Sequence, residues 1–188
     1  MNKEDIRRHV RARKAMMDAS EQLEAAHRVF EAVNSMAAFK MARKVLLYNS
    51  LPDELSTREF FDLMGEEKEF FLPRVNGLNL EILPYDKSRL HLGAFRIEEP
   101  DGDDVVSIGD LDMVIVPAVA YDRSGNRVGR GKGYYDRLLE TAKALTVGIC
   151  YDFQLMDEIE VDEHDVPVDF VVADRHGIFR GRIRRNSH

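Results

Sequence analysis

Short apolar runs that alternate with helical stretches along most of the chain predict an α/β protein with a largely parallel sheet and crossover helices. Two further observations support that class. The runs are apolar throughout, as strands buried on both faces are, and neither an internal repeat nor a linker divides the sequence. The 188 residues therefore suit one domain spanning 1–188, long enough to bury a core without disulfide or metal staples.

Taken in order, residues 3–19 read as a charged helix with few large apolar positions. Ser20 is a candidate cap for a second helix over 21–39, where Leu23, Ala26, Val29, Phe30, Val33 and Ala37 keep the spacing of one buried face. The period then changes, and Lys44-Val45-Leu46-Leu47-Tyr48 reads as a buried strand. Ser56-Thr57-Arg58-Glu59 has the form of a capping box, so a helix is expected from there to about Gly65. Glu69–Pro73 and Leu78–Leu83 read as strands. Residues 86–108 are mostly polar, with Gly93, Pro100 and Gly102, and read as loop, a short strand within it being the alternative. Met113–Pro117 is a buried strand, Ala118–Val128 a connection and Tyr134–Ala144 a helix. Leu145–Cys150 and Phe170–Ala173 are further strands.

Composition removes several function classes. With 44% hydrophobic and 32% charged residues the chain is globular rather than disordered. The net charge of -7 argues against nucleic acid as the main partner. The ends are nonetheless basic. Lys3, Arg7, Arg8, Arg11, Arg13 and Lys14 open the chain, Arg175, Arg180, Arg182, Arg184 and Arg185 close it, and acids crowd Glu98–Asp104 between them. The tail after Gly181 reads as solvated. No run approaches the roughly 20 apolar residues of a membrane span, and the N-terminus lacks the apolar core of a signal peptide. The lone Cys150 sits in an apolar run, as an inert buried thiol would. A cytoplasmic monomer without membrane or nucleic-acid partners is the expectation.

The chemistry is concentrated at Gly129-Arg130-Gly131-Lys132-Gly133, directly before the helix opened by Tyr134-Tyr135-Asp136. Alternating glycines remove Cβ atoms where backbone must approach a ligand. The following helix start offers unpaired N–H groups and a positive dipole end, a setting in which phosphate binds. Arg127, Arg130 and Lys132 add cations that a structural turn does not need. The spacing is neither that of a Walker A loop nor that of the dinucleotide G-x-G-x-x-G. A flexible glycine turn with solvated arginines is the competing reading of the same residues. At the helix start, the tyrosines would line a flat ligand and Asp136 would hold Mg²⁺, or one tyrosine would pack and Asp136 would complement the dipole.

The stretch Gly129–Asp136 resembles the signature of the 5-formyltetrahydrofolate cyclo-ligase family, also called methenyltetrahydrofolate synthetase. The likeness covers nearly the whole chain. Lys3 and Arg7 match an N-terminal Lys-x-x-x-Arg, and Tyr48–Thr57, with Glu54, resembles a strand followed by a Glu-containing turn. Leu72-Pro73, Glu99-Pro100, Val116-Pro117, Gln154 and His164–Asp169 also fall where the family has such residues. Lys132 stands where many bacterial members have another glycine, and Ala173-Asp174 where Thr-Glu is commoner.

The resemblance implies an open, Rossmann-like sheet flanked by helices. It also implies an enzyme that uses ATP and Mg²⁺ to close 5-formyltetrahydrofolate to 5,10-methenyltetrahydrofolate, releasing ADP and phosphate. By the same resemblance, Lys3, Arg7, Arg127, residues Gly129–Gly133, Tyr134 and Tyr135 would bind the nucleotide. Asn49, Glu54 and residues Arg130, Gly131, Lys132, Gly133 and Tyr134 would hold the folate, with Tyr134 stacking on the pterin. Lys132 and Arg130 would stabilise the transferring phosphoryl group, and Asp136 and Asp165 would ligate Mg²⁺. Read from the residues alone, Lys3 and Arg7 are also a solvated amphipathic end, Glu54 a turn acid beside Pro52-Asp53, and Asp165 a turn residue before Pro167. His91, His164 and His176 read as surface or structural. Two rival functions are a non-catalytic nucleotide or sugar-phosphate binding module and a phosphosugar isomerase. The second lacks an evident base.

Overall fold

The computed structural model describes residues 1–63, 67–93 and 97–181. The expected helix end at Gly65 and the tail arginines Arg182, Arg184 and Arg185 lie outside the described residues. Three helices open the chain: α1 (Lys3–Lys14), α2 (Ala19–Ser35) and α3 (Ala37–Met41). The sequence expectation ran α1 too far and placed the next cap at Ser20. Asp18 is the actual cap, accepting from the Glu21 N–H at 2.8 Å, and Ser20 lies inside α2. The helix expected over 21–39 is interrupted at Met36, an extended residue that ends α2 and begins α3.

Next come β1 (Lys44–Leu46), α4 (Arg58–Phe61), β2 (Glu69–Asn76) and β3 (Asn79–Pro84). The capping box expected at Ser56–Glu59 does not form. Thr57 is the N-cap, but its Oγ1 turns inward and donates to the Tyr48 carbonyl at 2.7 Å, while Ser56 Oγ accepts from the Arg58 N–H. One turn of helix is not stable alone. Phe60 anchors it, fully buried with its ring edge-on to Phe30 and Phe39 at 5.1 and 5.8 Å. The stretch expected as loop over 86–108 contains a small antiparallel pair, β4 (Leu90–Leu92) and β5 (Glu98–Pro100).

The second half comprises β6 (Met113–Val116), β7 (Ala120–Asp122), β8 (Arg127–Val128), α5 (Tyr134–Glu140), β9 (Leu145–Cys150), β10 (Leu155–Met156), β11 (Phe170–Ala173) and β12 (Gly177–Arg180). The stretch Ala118–Val128, expected as a plain connection, therefore holds the β7–β8 hairpin. Buried Asp122 accounts for it, accepting at the turn from the Ser124 and Asn126 N–H groups and, across the fold, from the Ile159 N–H. The helix expected over 134–144 ends four residues early, at Glu140.

Seven strands form the main sheet in the order β12-β11-β9-β6-β1-β2-β3. From β11 to β2 all pairings are parallel, and β12 and β3 close the edges antiparallel. Alternation along the parallel strands makes two layers. Val45, Leu47, Met113, Ile115, Val147, Ile149 and Val172 pack with α2, α3 and α4. Leu46, Val114, Val116, Cys150, Val171 and Ala173 pack with α5 and Tyr121. α1 packs through Ile6 and Val10 on Ala120 and Val128 of the hairpin.

The order has one consequence for function. From β1 the chain passes to β2 on one side, then crosses back so that β6 lies on the other side of β1. In open α/β sheets the crevice beyond the carboxyl ends of two such strands is where ligands bind.

Candidate active site

A cleft of about 660 Å³ opens at that point. Tyr48 and Asn49 enter it from the end of β1, and Pro117 and Ala118 from the end of β6. The glycine stretch forms another part of its lining. Gly131 and Gly133 have φ of +101° and +70°, left-handed values that residues with a side chain rarely adopt. Gly133 is the N-cap of α5, and a Cβ there would lie 2.7 Å from Arg137 Nη1. The loop path thus needs glycine for its own geometry. α5 is only seven residues long, so its dipole adds less to anion binding than the cations around the loop do.

Every residue to which the resemblance assigns a binding, catalytic or metal role lines this cleft: Lys3, Arg7, Asn49, Glu54, Arg127, Gly129, Arg130, Gly131, Lys132, Gly133, Tyr134, Tyr135, Asp136 and Asp165. The fold explains how the chain start reaches it. With Ile6 and Val10 seated on the hairpin, Lys3 and Arg7, also four apart, are carried to the adjoining face of α1.

The cations of the cleft have specific partners. Lys3 Nζ lies 2.6 Å from Asp165 Oδ2 and 3.1 Å from Asp162 Oδ2. Burial opposes the charge on Lys3, but these bonds prevail and raise its pKa above the ordinary lysine value. Burial likewise opposes ionisation of Asp165, yet the Asp162 N–H and Lys3 hold its carboxyl below the ordinary range. Arg7 donates from Nε to the Gly129 carbonyl at 2.9 Å, tying α1 to the loop. Arg127, whose side chain is 5% exposed, donates to Asp136 Oδ1 at 3.0 Å and lies over the Tyr135 ring. Its Nε is buried with no hydrogen-bond acceptor, the only such side-chain atom among the described residues. Arg130 Nη2 lies 3.7 Å from Glu54 Oε2 and 3.9 Å from Asp53. Lys14, buried and therefore lowered in pKa, reaches Asp53 at 3.9 Å.

These pairings modify the readings of Lys3, Arg7 and Glu54. Lys3 and Arg7 are not a solvated helix end; each is bonded across the fold. Glu54 is both a turn acid, accepting from the Leu51 N–H at 2.8 Å, and a lining residue. Asn49 donates to Glu98 Oε2 at 3.3 Å, which links the β1 end to β5. Burial pushes the phenols of Tyr48 and Tyr135 well above their ordinary value, so both are neutral donors. His91, His164 and His176 are exposed, and His91 pairs with Asp101 at 2.5 Å, away from the lining.

Sequence reasoning missed other lining residues. Leu72, Pro73, Val75 and Leu80 supply an apolar wall from β2 and β3, and Ile97, Glu98 and Asp162 also contribute. Asp162 stands three residues before Asp165, a spacing that by itself does not show that it faces Lys3. Arg137 was missed as well. Its Nη2 donates to the Lys132 carbonyl at 2.8 Å and so braces the loop from within α5.

Comparison with known proteins gives a consistent result. The model of the "5-formyltetrahydrofolate cyclo-ligase family" matches residues 1–174. The 5-formyltetrahydrofolate cyclo-ligase of Escherichia coli (strain K12) is 32% identical over 174 residues, covering 87% of this chain and 96% of that one. The Mus musculus protein of the same name is 28% identical over 187 residues, covering 90% and 92%. The solution structure of Aquifex aeolicus 5,10-methenyltetrahydrofolate synthetase superposes with a TM-score of 0.86 at 34% identity, covering 100% of this chain and 98% of that one.

Proposed function

Because this chain belongs to the 5-formyltetrahydrofolate cyclo-ligase family and so is a ligase of folate one-carbon chemistry, we propose that its cleft binds ATP and 5-formyltetrahydrofolate together and joins phosphorylation of the formyl oxygen to ring closure. One observation supports this reading above the others. The loop Gly129–Gly133, the cations Lys3, Arg7 and Arg127, the carboxylates Asp136 and Asp165, and the turn residues Asn49 and Glu54 all line one cleft at the sheet's switch point.

A formyl oxygen on nitrogen is a poor leaving group. In the proposed sequence it attacks the γ-phosphorus; the new O–P bond forms as the bond to the β-phosphate oxygen breaks, and ADP leaves. N10 then adds to the activated formyl carbon, loses its proton, and inorganic phosphate departs with the C–O electron pair. Such a transfer needs positioning and charge stabilisation more than a protein base. Lys132 and Arg130 would stabilise charge on the phosphoryl group in flight. Lys3, Arg7, Arg127 and the loop N–H groups would hold the phosphates. The buried, unmatched Nε of Arg127 suits an acceptor brought by the nucleotide. Tyr134 would stack on the pterin, Glu54 would accept from its N–H groups, and Asn49 would help orient it.

The donor set fits Mg²⁺ held jointly by protein and phosphate. Magnesium takes one or two carboxylates and completes its shell with phosphate and water oxygens. No group of three or more acidic, His or Cys side chains among the described residues is arranged to hold a metal. The hydrogen bonds to Asp136 fall on Oδ1 and those to Asp165 on Oδ2, which leaves the second oxygen of each for a cation. When bound, the ion would neutralise charge on the β- and γ-phosphates.

The reading includes a cytoplasmic monomer; the buried free thiol of Cys150 suits a reducing compartment. The test is incubation with Mg-ATP and 5-formyltetrahydrofolate, following methenyl absorbance and ADP release. Equal yields of the two are expected. Nucleotide binding without turnover near neutral pH would instead identify a binding module.

A further inference from the structure

The shortest ion pair in the cleft among the described residues joins a proposed phosphate cation to a proposed metal ligand. Lys3 Nζ sits 2.6 Å from Asp165 Oδ2, and the same ammonium holds Asp162 at 3.1 Å. Lys3 is at the start of α1, whose seat on the hairpin is made by Ile6 and Val10. Its side chain can therefore change partner while the helix stays fixed. Arg127 differs, because its guanidinium is buried and held by Asp136. A divalent cation on the other oxygen of Asp165 would face the ammonium across a single carboxylate group, close enough for like charges to repel.

We propose that Lys3 acts as a stand-in cation for Asp165: it neutralises the carboxylate until a nucleotide brings a phosphate for the ammonium and a metal for the carboxylate. The exchange makes metal and nucleotide binding cooperative, since each removes the partner that opposes the other, and the coupling is reciprocal. It also gives Asp162 a role, as the acid that retains the ammonium nearby when Asp165 is given up. This inference rests on the proposed placement of nucleotide and metal and adds the order in which the cleft accepts them.

The test measures Mn²⁺ binding by calorimetry or electron paramagnetic resonance, first with no nucleotide and then with ADP. Lys3→Met is expected to bind Mn²⁺ alone roughly tenfold tighter than wild type and to gain less from ADP. Lys3→Arg retains the charge and should resemble wild type. Arg7→Met removes a lining cation that bonds Gly129 rather than a carboxylate of the pair, and should leave metal-only affinity near wild type. Unchanged or weaker Mn²⁺ binding by Lys3→Met would overturn the exchange, as would equal tightening by Arg7→Met, which would signal diffuse electrostatics. Failure of wild type to bind Mn²⁺ even with ADP would instead remove the proposed nucleotide and metal site, and the exchange with it.

Discussion

Arg137 on α5 donates from Nε to the carbonyl oxygen of Leu78 at 2.7 Å, joining the glycine loop's helix to the turn between β2 and β3. The same guanidinium holds the Lys132 carbonyl at 2.8 Å and lies over the Tyr134 ring. One exposed side chain thus fixes the loop relative to the apolar wall of the cleft. Arg137→Ala should cost less than about 1 kcal/mol of stability, because these bonds are open to water. Its effect on the reaction should be larger, with KM for both substrates rising several-fold as the loop loses its brace. Urea unfolding and steady-state kinetics on one preparation separate the two.

Lys132 and Asp165 divide the proposed chemistry between the phosphoryl group and the metal. Lys132→Ala should lower kcat by roughly 10² to 10³, more than it weakens folate binding, the pattern of an interaction gained mainly in the transition state. Asp165→Ala should raise the Mg²⁺ concentration needed for half-maximal rate. Normal kinetics in both variants would show the roles to be wrong even with turnover intact. Single-turnover rates and a Mg²⁺ titration are the measurements.

Asp165 also predicts a pH dependence of stability. Its folded-state pKa lies below the ordinary 3.8, through the Asp162 N–H and Lys3, despite burial. A carboxyl with a depressed folded pKa contributes stability that is fully present above the unfolded value and lost as pH falls through the folded one. The melting temperature of wild type should therefore exceed that of Asp165→Asn at pH 6, and the gap should narrow below about pH 4. A gap that widened on acidification would contradict the ion pair. Lys3, raised in pKa, implies the opposite limb, with its share lost at pH above the ordinary 10.5.

Much of this was legible in the sequence because it is local. Leu145–Cys150 and Phe170–Ala173 are apolar on both faces and were bounded correctly. The glycine loop announced itself through φ-permissive residues spaced two apart beside Arg127, Arg130 and Lys132. What stayed hidden depends on tertiary placement. β7 and β8 form because Asp122 collects N–H groups from their turn and from Ile159, far along the chain. β12 is an edge strand defined by its pairing with β11. Lys3 and Asp165 are 162 residues apart, so no spacing rule pairs them. The resemblance brought both to one site, and the fold gave the contact.

Gly148 is where the sheet and the mouth of the cleft meet. It lies in β9 beneath Tyr121, and a Cβ there would fall 2.3 Å from Tyr121 Cζ. Tyr121 is fully buried and donates its hydroxyl to the Val116 carbonyl, the last residue of β6 before Pro117 turns into the cleft. Gly148→Ala must therefore push the ring or the strand aside, an overpacking cost of about 1–3 kcal/mol. Displacing the ring also breaks the buried bond from the Tyr121 hydroxyl to the Val116 carbonyl. The cost should be strongly non-additive with the ring's removal: in a Tyr121→Leu background, Gly148→Ala should destabilise far less than in wild type. Urea denaturation of the four proteins in this cycle measures the coupling, and additivity would show that the ring is not what excludes a side chain at 148. KM for the folate should rise in Gly148→Ala, because the carbonyl that Tyr121 anchors sets the position of Pro117 and Ala118.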